Sequence, residues 1–322
     1  MRYEVKIENL DTIAEYWQDA RSRLKWDCIF VLPGWIRSWW QAFGADDDLC
    51  LLSARDDNEV IGIAPFMVRN RSAHLIGDRD VCDYLDFVVA PEKETVFFNV
   101  IIDYLREKDI TCLNLAPARH GSVVCTLLSN EIVRDCGCDV AVDQEEVLVE
   151  MELPDSWEAY LASLSTKQRR EVKRKLKKLN NMGKVDYRVG DGAAEIDIFL
   201  GLFTKNKEGK AAFMTPKMQS FFKSLAQSMA EIGILRIGVL ALDSLPVAAV
   251  MCFDHDGVVY LYNSAYDTQY GYLSVGLISK ILCIKDSIEK GSKSFNFLKG
   301  AEEYKYRLGG VEVPVYNFRI NL

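Results

Sequence analysis

Two stretches that begin about 185 residues apart carry the same order of signals, and this recurrence limits the possible folds more than any other feature of the chain. In LCLLSARDDNEVIGIAPFMV, an apolar run over 49–54 meets the polar turn Asp56-Asp57-Asn58 and then a second apolar run over 60–68. In LRIGVLALDSLPVAAVMCFD, an apolar run from Leu235 meets Asp243-Ser244 and then a run over 247–253. Each reads as a β-hairpin. A helical stretch precedes each one. PGWIRSWWQAFG has Pro33 to start it and Gly44 to stop it. TPKMQSFFKSLAQSMAEIG has Thr215 as cap, Pro216 at the start, one face of Phe222, Leu225, Met229 and Ile232, and Gly233 at the end. After the hairpins come YLDFVVAP, a helix near 94–107 and TCLNLAP in one half, and VVYLYNSAYD, a helix near 275–290 and SFNFLKG in the other. This order predicts an α/β (α+β) chain of two tandem, similar domains, each a mixed, largely antiparallel sheet flanked by helices.

A length of 322 residues accommodates two domains. The expected boundaries are an N-terminal domain over 1–153, a helical connector over 154–184 and a C-terminal domain over 185–322. The connector is chemically distinct. Its run STKQRREVKRKLKKL, residues 165–179, holds eight Lys or Arg and one acid, so it carries +7 while the chain as a whole is −8. Asp155 with Glu158, and Ser165 with Gln168, have the spacing of capping boxes, which predicts two consecutive helices ending near Asn180-Asn181 and Gly183. Val172, Leu176 and Leu179 make the second helix's apolar stripe, and the rest of its circumference is basic. Such a field suits an anionic ligand, and a solvated helix face would look the same.

Several chemistries lack their signatures. There is no G-x-S-x-G elbow, no Walker A sequence and no G-x-G-x-x-G fingerprint, so serine hydrolase, nucleotidase and dehydrogenase readings lose support. Nine scattered cysteines form no C-x-x-C pair, Cys136 and Cys138 are one residue apart, and His74, His120 and His255 share no ligand spacing. No metal site is expected. The amino terminus lacks an apolar secretion core and no window reaches a membrane-spanning length, so a cytoplasmic location is expected.

Two stretches could hold a substrate. After VVYLYNSAYD the chain runs TQYGYLSVGLISKILCIKDSIEKG, in the order strand, glycine-containing loop, helix. That order aims free backbone N–H groups and the positive end of a helix dipole at an anion. Ser274 can cap the helix and donate to a phosphate, and Gly276 allows close approach to the backbone. Leu277, Ile278, Ile281, Leu282 and Ile284 behind them read as core. The second stretch is FNFLKGAEEYKYRLGG, residues 295–310, with Tyr304 and Lys305 on a short helix. A tyrosine can protonate a leaving thiolate and a lysine can hold a phosphate or an oxyanion. Glu302 and Glu303 stand on an equal footing as candidate bases.

In order, PGWIRSWWQAFG, VIGIAPFMV, CDYLDFVV, LSTKQRREVKRKLKKL, LPVAAVMCFDHDGVVYLYNSAYD, YLSVGL and LKGAEEYKYRLGG resemble the CelD-like acetyltransferase family. That family is related to the FemAB-like peptidyltransferases within the Gcn5-related N-acyltransferase (GNAT) superfamily. The resemblance covers nearly the whole chain and implies two tandem acyltransferase folds. It implies a donor, acyl-CoA, bound in the second domain at Ser274, Val275 and Gly276, where Val275 replaces the proline usual in the family. It also implies a catalytic contribution from Tyr304 and Lys305, and it matches Asp83 and Tyr84 to a family motif facing the cleft between domains, expected here to contact substrate. Lys173 of the basic helix is expected from its charge to draw in an anionic substrate. The implied reaction is N-acyl transfer to an amine of a sugar, a lipid-linked saccharide or a peptide, in polysaccharide or cell-envelope biosynthesis, with peripheral membrane contact open. Two alternatives stand beside it: a FemAB-like peptidyltransferase using aminoacyl-tRNA, and a non-catalytic acyltransferase-like subunit of polysaccharide assembly.

Overall fold

The computed structural model describes residues 3–19, 23–129, 138–205 and 210–322. The chain divides into two compact units, residues 1–147 with 313–322 and residues 148–312.

In the first unit, β1 (Tyr3–Glu8), β2 (Asp48–Asp56), β3 (Glu59–Arg69), β4 (Ser72–Leu75) and β6 (Cys112–Arg119) line up in the order β1-β2-β3-β4-β6, and the short β5 (Val88–Val89) pairs with β3. The predicted hairpin is present, with Asp56 opposite Glu59 and Asp57 in the left-handed region at φ 54°. Strands β4 and β6 are parallel, and the helix Glu94–Glu107 lies between them in sequence. A parallel pair requires such a crossover. The core is aromatic: Phe30 meets Trp35 and Tyr84 edge-on, and Phe87 meets Phe66 and Phe97 the same way.

The second unit repeats the plan. Its β8 (Val185–Gly190), β9 (Leu235–Leu242), β10 (Leu245–His255), β11 (Val258–Tyr266) and β12 (Ser294–Lys299) follow the order β8-β9-β10-β11-β12. Asp243 and Ser244 form its hairpin turn, both with positive φ (49° and 69°), which matches the right-handed strand twist. Strands β11 and β12 are again parallel, joined through the helix Val275–Glu289.

The sixth strand of each unit corrects the expected boundaries. In the first unit, β6 pairs with β13 (Val311–Asn321), the last strand of the chain, over Val315↔Arg119 to Asn321↔Cys112. In the second unit, β12 pairs with the end of β7 (Asp139–Glu152), over Leu148, Glu150, Met151 and Glu152. Each unit therefore takes its closing strand from the sequence territory assigned to the other half. The 154–184 segment is no separate connector either, because Tyr160, Leu164 and Val172 are buried in the second unit's core with Val250, Leu261 and Ile281.

Local signals hold in most places and shift in two. Ser165 and Gln168 form a complete capping box, at 3.3 and 3.0 Å. Thr215 caps the helix Pro216–Glu231 through the Met218 N–H. Asp155 does not cap: Ser156 accepts from Ala159 N–H instead and starts the helix Trp157–Ser163. Ile232 is the residue after the helix Pro216–Glu231 and is exposed, so the buried face is Met218, Phe221, Phe222, Leu225, Ala226 and Met229. Cys136 lies outside the described residues. Among the described residues, no helix is long and apolar enough to cross a membrane.

Candidate active site

Strands β11 and β12 hold the key to the second unit's geometry. They pair over only three positions, Val258↔Ser294 to Tyr260↔Asn296, and β11 then runs six residues further to Tyr266 without β12 beside it. At that same end β12 breaks register between Asn296 and Lys299, and Leu298 adopts φ 61°. The Asn296 side chain stabilises the bend by accepting from the Leu298 N–H at 2.7 Å and donating to Glu150 at 2.9 Å.

A cavity of about 240 Å³ lies at this opening, lined by Tyr266, Gly271, residues 274–277, Lys280 and Tyr304. Of the residues singled out from the sequence, the structure thus brings together Ser274, Val275, Gly276 and Tyr304. The helix Val275–Glu289 begins here, and its first N–H groups, at Val275 and Gly276, have no intrahelical acceptor. The Val275 side chain is fully buried among Leu179, Leu240 and Leu273, so this residue offers only backbone to the cavity. Gly276 has a steric role: a Cβ there would come within 2.8 Å of the Tyr266 ring.

Ser274 differs from its expected role. It sits at the N-cap position but in the left-handed region (φ 61°, ψ 34°), and its side chain caps nothing. Its hydroxyl oxygen instead accepts from the Lys175 ammonium at 2.7 Å. Three residues on, Lys178 donates to the Tyr272 carbonyl at 2.7 Å and lies 5.6 Å from the Tyr272 ring centre. The basic helix Thr166–Asn180 therefore presents Lys175 and Lys178, flanking its buried Val172 and Leu179, to the loop that begins the cavity helix. Lys173 lies on the opposite, exposed side with Arg170 and Lys177, away from this loop. The spacing fixes this outcome: at 100° per residue, Lys173 is rotated about 160° from Lys175.

Lys280 escaped notice in the sequence. It is 9% exposed, donates to the Gly276 carbonyl at 3.0 Å, and its ammonium lies 5.1 Å from the Tyr304 ring centre. The signal was a single cation inside ISKILCI, where the surrounding helix is buried on most sides. Tyr304 is neutral at working pH, because burial and then Glu302 push its phenol above the ordinary range. The phenol therefore carries a proton, and a nearby ammonium such as that of Lys280 favours its release.

Lys305 has a different task from the one its resemblance implies. Its residue is 2% exposed and its ammonium donates to three backbone carbonyls, Leu298 at 3.0 Å, Lys299 at 2.6 Å and Gly300 at 3.0 Å. Glu302 is a fourth partner at 2.9 Å. An ammonium has three protons, so this group is fully engaged in holding the bend of β12 open and cannot also bind a phosphate. Tyr160 assists from the other side by donating to the Leu308 carbonyl at 2.9 Å.

Asp83 and Tyr84 belong to the first unit. Tyr84 is buried against Phe30, so its ring is core, and Asp83 is half-buried beside it. The notable carboxylate there is Asp86, which accepts from the Val123 and Val124 N–H groups at 2.9 Å each and so caps the helix Val123–Ser129. Burial raises its pKa to about 7, against the lowering effect of those N–H groups.

Residues 166–306 match the family model described as an acetyltransferase (GNAT) domain, a span that begins with the basic helix and ends just past Lys305. The chain is similar to the crystal structure of FemX at TM-score 0.67 and 10% identity, over 99% of this chain and 97% of that one. It is similar to the C-terminal domain of an Agrobacterium fabrum protein described as a lysylphosphatidylglycerol synthetase, at TM-score 0.62 and 11% identity over 97% and 92% of the two chains. A tandem GNAT protein from the clavulanic acid biosynthesis pathway matches at TM-score 0.51 and 10% identity, over 98% of each chain. At such identities the likeness is one of fold. No curated protein sequence matches the chain.

Proposed function

From the premise that this chain carries a GNAT-superfamily acyltransferase domain on a FemAB-related fold, we propose that the cavity of the second unit takes an acyl-CoA thioester and passes its acyl group to an amine. The observation that carries the reading is the opening between β11 and β12, with the start of the helix Val275–Glu289 at its mouth. Backbone N–H groups of Val275 and Gly276 would receive donor phosphate, and Lys175 and Lys178 would supply positive charge beside them. The amine nitrogen attacks the thioester carbonyl carbon, a C–N bond forms and the C–S bond breaks. Tyr304 gives its proton to the leaving sulfur, and the surplus amine proton passes to water. Holding the two reactants in line is the main contribution of such a site. The acceptor we favour is an amine on a sugar, a lipid-linked saccharide or a peptide, in polysaccharide or cell-envelope assembly in the cytoplasm.

A second reading draws on the outer face of the basic helix, where Lys167, Arg170, Lys173, Arg174 and Lys177 are all exposed. That stripe would suit the backbone of an aminoacyl-tRNA donor, and binding would then fall steeply with salt. Melting temperature measured with acetyl-CoA and, separately, with tRNA distinguishes the two. A rise with acetyl-CoA that the Lys175→Ala/Lys178→Ala variant loses supports the first reading. A rise with tRNA alone overturns it.

A further inference from the structure

We propose that β8 is a self-pairing edge through which two copies of this chain join antiparallel into a two-fold dimer. Strand β8 ends the second unit's order, so one of its edges has no strand partner among the described residues. Its first five residues are Val185-Asp186-Tyr187-Arg188-Val189, a run that reads the same in both directions except that an acid on one side answers a base on the other. Antiparallel pairing of two copies centred on Tyr187 sets Val185 opposite Val189, Asp186 opposite Arg188, and Tyr187 opposite itself. The two-fold axis repeats each contact, as an isologous interface requires.

The faces of the strand agree with that register. Asp186 and Arg188 are exposed on one face, while Val185, Tyr187 and Val189 are half-buried on the other, where Val185 and Tyr187 pack against the core. Over the exposed face lies a recess of about 300 Å³ lined by Lys184, Asp186, Arg188, Val239, Ala241, Ser244 and Pro246. It leaves room for Arg188 of a second copy beside Asp186. Among the described residues, Arg188 reaches Glu195 at 4.0 Å with more than half of the arginine side chain exposed, a contact that contributes little. The start of the strand is fixed, since Lys184 donates its N–H to Asp243 at 2.8 Å and accepts from the Asp243 N–H at 2.9 Å.

Charges on an edge strand ordinarily prevent pairing. A blocking edge of one sign would repel its copy in every register, whereas this alternation repels in some and attracts in one. Centring on Asp186 or on Arg188 sets like charges opposite, and a one-residue slip sets the charged face against the apolar one.

Sedimentation of the full chain over a concentration series tests the proposal, using wild type, Asp186→Arg, Arg188→Asp and an equimolar mixture of the two variants. Wild type is expected to show a concentration-dependent dimer, and each variant to raise the dissociation constant about tenfold or more. The mixture is expected to regain dimer, because a strand with two arginines then faces a strand with two aspartates. A wild type that stays monomeric, a dimer indifferent to either charge reversal, or a mixture that fails to recover would overturn the proposal. Hydrogen exchange on the unaltered chain supplies a readout that needs no variant: amides over 185–189 gain protection as concentration rises, and unchanged protection counts against self-pairing.

Discussion

The two units share one strand plan and differ where a ligand would enter. In the first, the crossover helix Glu94–Glu107 is preceded by Glu92 at φ 67° and by Lys93, whose ammonium is taken by Asp56 at 3.1 Å. In the second, the corresponding helix Val275–Glu289 is entered through Ser274 and Gly276, with Lys175 on the serine hydroxyl and Lys280 on the glycine carbonyl. Acids at a helix start repel an incoming anion, and cations beside free N–H groups attract one. A six-strand frame with a parallel pair and a crossover is thus compatible with either outcome. On the proposed reading, the side chains at the helix entrance decide which copy can take a charged donor.

Four experiments break or sharpen that contrast, beginning with the largest effect. In the first unit the helix Val123–Ser129 is capped by the chain's own buried Asp86, whose pKa rises from 3.8 to about 7 on folding. The folded state therefore holds a proton that the unfolded chain releases between those values, and stability falls as pH rises through the window, by about 4 kcal/mol over its full width. Urea denaturation from pH 4 to 7 should show this slope, and Asp86→Asn should flatten it. A pH-independent midpoint would mean that the carboxyl stays ionised in the fold.

In the second unit, Lys305→Ala strips three carbonyls of their donor and should cost about 3 kcal/mol of stability, read as a lower denaturation midpoint. Turnover lost with the midpoint unchanged would return Lys305 to a chemical role. Tyr304→Phe should lower kcat by about 100-fold while donor KM changes little, as loss of a proton donor predicts. If KM rises and kcat holds, the ring positions substrate and the proton comes from elsewhere. Finally, Gly276→Leu should weaken acetyl-CoA binding about tenfold, because its side chain must displace Tyr266 at the cavity mouth. Glu92→Leu, at the matching entrance of the first unit, should leave that binding unaltered in the same calorimetric titration.

Much of the fold was legible from short-range chemistry. Hairpins announced themselves through apolar runs around short polar turns, and helices through Ser165, Thr215 and Pro33, because these signals act within a few residues of one another. The closing strands were not legible. Nothing local in strands β7 and β13 states which distant neighbour their N–H groups will meet. The candidate site divided along the same line. The strand, loop and helix order around 274–276 marked the cavity entrance, whereas Lys280 gave only the weak sign of a cation among apolar residues.

By itself, then, the amino-acid sequence determined the element order, the twofold recurrence and the concentration of positive charge in the helix Thr166–Asn180. Those depend on propensity, periodicity and composition, which are properties of neighbouring residues. Only the tertiary structure decided that Lys305 is a buried clamp on three carbonyls, that Tyr84 is core, and that Lys175 and Lys178 rather than Lys173 meet the cavity loop. A charged or aromatic residue has the same intrinsic chemistry in any of these places. Its role is set by which partners the packed chain brings within hydrogen-bond reach, and by how much water it leaves around them.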